Sequence, residues 1–168
     1  NFGIIYGQTA FGLARTLRIG RAEAGEFISA YRKRFPRIDE FLQACVAKAK
    51  ENGYVETIFG RRRRIAEIDA RNSQRRALAE RLAINSVVQG SAADLIKQAM
   101  VRLAARIERE ARPSRMLLQI HDELVFELPA GALDAERAMI VEEMSGAIRL
   151  RVPLKVDVGV GPNWMDAK

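Results

Sequence analysis

Residues Leu117 to Pro129 read "LLQIHDELVFELP". Two apolar arms, Leu117 to Ile120 and Leu124 to Leu128, flank His121, Asp122 and Glu123. A parallel crossover needs a connection of about a dozen residues, so arms this close predict an antiparallel hairpin. Its tip lies among His121, Asp122 and Glu123. Tight hairpins favour Asn-Gly or Asp-Gly because glycine accepts positive φ, and no glycine is present here. Asp remains a good turn residue. The pattern alone favours a polar tip facing water. The other reading is a rigid hairpin that holds carboxylates outward at a fixed place. Carboxylates are ligands for magnesium, and magnesium serves phosphoryl chemistry.

Outward from the hairpin, the pattern is mostly helical. Residues 1–6 read as the end of a helix. Thr9 is placed to cap a short helix through Leu17 that ends near Gly20. Residues 21–34 and 37–51 read as two further helices, with Pro36 at a helix start and Gly53 at a helix end. Tyr54 to Ile58 and Arg63 to Ile68 are candidate strands around Gly60. A long helix is expected from about Arg71 to Glu110, bent near Gln89-Gly90, with Ser91 capping its second half. Ala132 to Leu150 reads as a helix. Val152 to Val160 alternates as a strand. The expected class is α+β, with one small antiparallel sheet and many helices.

The 168 residues suffice for one domain with a core, and 48% are apolar. The single cysteine, Cys45, excludes an internal disulfide and a cysteine-built zinc site. No apolar run is long enough to span a bilayer and no signal peptide is visible, so a cytoplasmic location without membrane contact is expected. The chain starts at Asn1 inside a patterned segment, as a piece of a larger protein would.

The net charge is +7, and residues 61–81 hold 8 basic against 3 acidic side chains. Arginine outnumbers lysine 22 to 6. Guanidinium groups grip phosphate bidentately, so an arginine-rich cluster suits a polyanion. A solvated basic surface is the plainer alternative, and the concentration of charge tilts the reading toward nucleic acid. In "AERLAINSVVQGSAAD", Arg81, Asn85 and Gln89 recur every four residues and so form one row on a helix. Amide and guanidinium donors suit the acceptors that every base pair shows in the minor groove. A solvated helix face is the competing explanation. In "NFGIIYG", Phe2 and Tyr6 share one helical face, and Gly3 and Gly7 another. Either the helix ends there or something approaches its backbone closely. The aromatics are core residues or stacking faces for a base or sugar.

The segments "NFGIIYGQTAFGLA", "GRRRRI", "AERLAINSVVQGSAADLIKQAM" and "QIHDELVFELP" resemble successive motifs of the family A DNA polymerases, the bacterial DNA polymerase I type. They occur in the family's order, and the resemblance runs from Asn1 to Lys168. Single-subunit RNA polymerases share a related tyrosine-glycine helix and an His-Asp hairpin, but not "HDELVFE". The resemblance implies a palm-type sheet with a helical fingers region: residues 1–52 part of the fingers, residues 53–168 a palm portion. It implies that Phe2 faces the sugar of the incoming deoxynucleotide and that Tyr6 stacks at the nascent base pair. Arg81, Asn85 and Gln89 would track the primer–template duplex, and His121 would sit beside the primer terminus. Asp122 would bind the catalytic Mg2+ ions, two in a complete site, with Glu123 assisting. The implied partners are primer–template DNA and a dNTP.

In the family a second metal-binding aspartate comes from a strand upstream of the fingers helix. The arginine and lysine that hold the triphosphate lie just before the position of Asn1. Neither is in this sequence, so the chain is expected to be inactive alone. Asp157 reads as structural or solvated. Two other functions stay open: a non-catalytic nucleic-acid-binding module derived from a polymerase, and a protein–protein adaptor using the helices of residues 21–51. A sheet lacking its neighbouring strand exposes an edge, so self-association is also expected.

Overall fold

The computed structural model describes residues 2–167, with the side chain of Phe2 outside the description. It divides into two compact units, one up to Ser91 and one from Ala92 onward. No described helix is long and apolar enough to cross a membrane.

The first unit opens with α1 (Phe2–Ile5) and α2 (Ala10–Leu17). Thr9 caps α2, its hydroxyl accepting the Gly12 N–H at 3.2 Å, and Arg18 ends it in the left-handed region at φ 56°. Helix α3 (Arg21–Arg34) turns into α4 (Pro36–Asn52), where Pro36 occupies the first turn and Gly53 closes the helix at φ 74°. Strands β1 (Tyr54–Glu56) and β2 (Arg62–Arg64) pair antiparallel, Val55 opposite Arg63. Both are shorter than expected. The core of the unit is Ala49, Val55, Ile65, Ile68, Ala79 and Ala83, packed by Leu82 and Val87. Small alanines on α4 and on the next helix let the hairpin sit close against both.

Helix α5 (Ser73–Arg109) has 37 residues. Its start is set by Asn72, whose Oδ1 accepts the N–H groups of Gln74 and Arg75 at 2.9 and 3.1 Å. The helix is unbroken through Gly90, so Ser91 is not a cap. Its hydroxyl donates to the Val87 carbonyl inside the helix at 2.5 Å.

In the second unit, β3 (Arg115–Ile120) and β4 (Glu123–Glu127) form the hairpin expected from the opening stretch, and a 3-10 turn leads into α6 (Leu133–Ser145). Pairing runs Arg115 with Glu127 and Met116 with Phe126, then resumes at Leu118 with Val125, leaving Leu117 as a bulge. The bulge reverses which face the next side chains take. Met116, Leu124 and Phe126 pack on a core of Leu103, Met139 and Ile140. Glu136 of α6 is 1% exposed, yet it is satisfied: it accepts from Ser114 Oγ at 2.6 Å and from Arg112 Nη1 at 3.1 Å. That pair of bonds ties the residue before β3 to α6.

Three expectations need correction. The strands form two separate two-stranded sheets, not one. Helix α6 stops at Ser145: Gly146, a poor helix former, follows as the cap, and its carbonyl accepts from Arg102 Nη1. Residues 152–160 alternate but form no ladder with any described strand; Pro153 lacks a donor, and Val152 and Val160 are 66% and 51% exposed.

Arg102 and Arg106 grip Glu143 at 2.8 and 2.9 Å, and Arg106 also meets Glu142 at 2.7 Å. Burial pushes the Glu143 carboxyl up, but the two guanidinium groups outweigh it and hold its pKa below the ordinary range. A carboxyl held low stabilises the fold fully above its unfolded pKa of about 4.3 and loses that effect as pH falls through the folded value. Acid should therefore destabilise this unit. In Glu143→Gln the drop in thermal midpoint between pH 7 and pH 3 should be smaller than in the unaltered chain.

Candidate nucleic-acid and metal-binding residues

The first unit gathers three of the expected residues on α5 and brings a fourth near them. Arg81 and Gln89 are exposed and Asn85 is half-buried, spaced one turn apart as their sequence positions require. Helix α1 ends at Ile5, and Tyr6 and Gly7 form a turn, with the Gly7 N–H donating to the Ile4 carbonyl at 3.1 Å. Gly7 has φ 81°, and a Cβ there would stand 3.4 Å from Arg81 Cγ. Both explanations of the glycine pattern hold at this position: the helix ends, and the stem of Arg81 approaches the backbone. The half-buried Tyr6 thus adjoins a residue packed on the first member of the row.

Asn85 and Gln89 line an open pocket shared with Arg61 and Arg63 of the β1–β2 hairpin. Asn85 Oδ1 is shielded from water and has no hydrogen-bond partner among the described residues. An acceptor left that way costs about 1–3 kcal/mol, so a rotation that meets an outside donor is favoured. The hairpin stands this close because of Gly90. A Cβ at Gly90 would lie 2.9 Å from Thr57 Cγ2 and 3.3 Å from Arg61 Nη2. Reading the sequence for a bend missed this approach; the glycine inside an otherwise helical pattern was its only signal.

In the second unit, His121 and Asp122 are the whole loop between β3 and β4, since Ile120 pairs with Glu123. His121, Asp122 and Glu123 are all exposed. His121 takes the positive φ that the missing glycine would have taken, at 54°. Its carbonyl accepts from Gln119 Nε2 at 2.9 Å, which fixes the tip. A left-handed backbone costs a non-glycine residue about 1–2 kcal/mol. The two neighbouring carboxylates are hard oxygen donors of the type magnesium takes, commonly one or two per ion with water and phosphate filling the remainder. The residues fit a partial magnesium site. Among the described residues no group of three or more His, Cys, Asp or Glu side chains is placed to hold a metal by itself.

Two substitutions test these placements. His121→Gly should raise stability by up to about 1 kcal/mol in denaturant unfolding, because the left-handed strain is relieved. Gly90→Ala should lower it by about 1–2 kcal/mol, against the gain an alanine gives in an open helix, because the hairpin must shift.

The sequence profile of DNA polymerase family A matches residues 1–166. DNA polymerase I of Bacillus caldotenax is 47% identical over all 168 residues, and that of Bacillus subtilis 46%. DNA polymerase I of Mycobacterium tuberculosis is 44% identical over 164 residues. The chain spans about one fifth of these relatives, 19%, 19% and 18% of their lengths. The POL domain of Pol1 from M. smegmatis, solved in complex with DNA primer-template and dNTP, superposes with a TM-score of 0.95 at 42% identity, over 99% of this chain and 29% of that one. The likeness covers both units and every motif discussed above, so this chain belongs to DNA polymerase family A.

Proposed function

We propose that this chain is the catalytic palm portion, with part of the fingers, of a template-directed DNA polymerase. Residues 1–52 belong to the fingers and residues 53–168 to the palm. The observation that carries this reading is the two-residue loop, which holds Asp122 at the exposed tip of a bonded hairpin beside His121 and Glu123. The M. smegmatis relative was solved with primer-template and dNTP, and the same partners are proposed here.

The substrate side is carried over from the family's motifs to the matching positions of this chain, Phe2 among them although its side chain lies outside the described residues. Phe2 faces the sugar of the incoming dNTP, and Tyr6 stacks against the new base pair. Arg81, Asn85 and Gln89 follow the duplex along the minor groove, where acceptors are present at every step and sequence is not read. His121 lies at the primer end. Asp122 and Glu123 would hold magnesium, two ions in the complete site. Magnesium held by these carboxylates would supply charge neutralisation to the attack of the primer 3′-hydroxyl on the α-phosphate of the dNTP, with pyrophosphate leaving. The hairpin tip offers the Asp122–Glu123 pair alone, and we propose that the 168 residues do not extend a primer unaided. The place of action that follows is the bacterial cytoplasm, at the nucleoid.

The alternative of a non-catalytic nucleic-acid-binding module is favoured only by the lack of a three-ligand cluster among the described residues. Magnesium titration separates the two, since a pure binding module has no need of metal at the tip. The stronger test is primer extension by the longer polymerase that contains this chain. Asp122→Ala should reduce the rate about a thousandfold or more, the loss of several kcal/mol of transition-state stabilisation, with duplex binding nearly unchanged. Extension at the normal rate would remove Asp122 from the metal site.

A further inference from the structure

The four consecutive arginines Arg61 to Arg64 do not have equal freedom. Antiparallel pairing sets Arg62 opposite Glu56 and Arg64 opposite Tyr54, while Arg63 lies opposite the buried Val55. Side chains alternate along a strand, so Arg62 and Arg64 share one face and Arg63 takes the other. Arg62 is held on its face: it donates to Glu56 at 2.8 Å and lies 4.7 Å from the Tyr54 ring centroid. Arg61 donates to the Gly90 carbonyl at 3.2 Å. Arg63 is exposed, lines the same pocket as Asn85 and Gln89, and has no ion pair or hydrogen-bonded side-chain partner among the described residues.

The hairpin that carries Arg63 is fixed at its turn. Thr57 Oγ1 accepts the N–H groups of Phe59 and Arg61 at 3.3 and 3.1 Å, which sets the shape of the turn. Ser91 Oγ then accepts the Ile58 N–H at 3.0 Å, tying that turn to α5 across 33 residues of sequence. Gly90 leaves the space for it. A solvated surface arginine needs none of this. A cation that must meet a phosphate gains from it, because a pre-ordered backbone loses less freedom on binding.

We propose that Arg63 is a further DNA-backbone contact, and that Ser91 and Gly90 are positioning residues that hold it beside the Asn85–Gln89 edge. The proposal rests on the duplex-tracking role assigned above to the Arg81 row. Phosphate is the partner the chemistry selects: guanidinium at the rim supplies charge, while the amides of Asn85 and Gln89 face base edges.

The test is fluorescence anisotropy of the 168-residue chain with a primer–template duplex across a salt series, plotted as log affinity against log salt. Arg63→Gln should reduce the slope by about one, the loss of one phosphate contact. Arg37→Gln removes the same charge from an exposed α4 position paired with Glu40, and should leave the slope unchanged. Ser91→Ala should lower the slope as well and speed amide exchange at Ile58, and Ser91→Thr should restore both. An unchanged slope in Arg63→Gln, with steep salt dependence in the unaltered chain, would overturn the proposal. Duplex binding that is absent or salt-insensitive in the unaltered chain would instead overturn the role given to the Arg81 row, and this inference with it. Should Ser91→Ala lose its helical circular dichroism, the Arg63→Gln comparison still decides.

Discussion

Two residues join β3 to β4, and a loop that short leaves no slack. Whatever stands at its tip is held to the accuracy of the ladder below it. The ladder is held by Met116, Leu124 and Phe126 on the core, and by the buried Ser114–Glu136 bond at its base. His121 accepts a backbone conformation that glycine adopts more easily. A sequence shaped for stability alone has a better residue for that position. Imidazole stands there instead, with carboxylates beside it, which is the arrangement the proposed function uses.

Charge is arranged by the same logic in both units. In the second, Arg102, Arg106 and Arg112 are consumed internally, meeting Glu142, Glu143, Glu110 and Glu136. In the first, the hairpin arginines are divided between internal partners and solvent. The net charge of the whole chain hides this division. A count of basic residues overstates what a polyanion can meet, and the pairing register corrects the count.

Most helices were legible in the sequence because their signals are local. Thr9, Pro36 and Gly53 act within one turn of themselves, and each stands where it was expected. The hairpin of the opening stretch was legible because its arms are too close to do anything else. What failed depends on distant partners. The alternation of residues 152–160 is real, but a strand needs a neighbour and alternation does not supply one. Ser91 looked like a cap because serine is good at that, and only the Ile58 N–H, far off in sequence, shows its other use. The row of Arg81, Asn85 and Gln89 was visible in the spacing, while the arginine pocket beside it was not. Its walls come from two elements that meet only after folding. Glu136 shows the same limit: a glutamate in a helix reads as solvated until Ser114 and Arg112 are seen to enclose it.

The bulge at Leu117 has its own consequence for how this hairpin can vary. Below it, Met116 faces the core; above it, Leu118 faces away. The tip is therefore counted in residues from its base with one odd step included. Loss of a single residue from this arm would be absorbed there: the bulge closes, pairing becomes one-to-one, and the acidic loop keeps its place on β4. A second loss has no such reserve and would pull the loop out of register, a length constraint that no substitution profile would reveal.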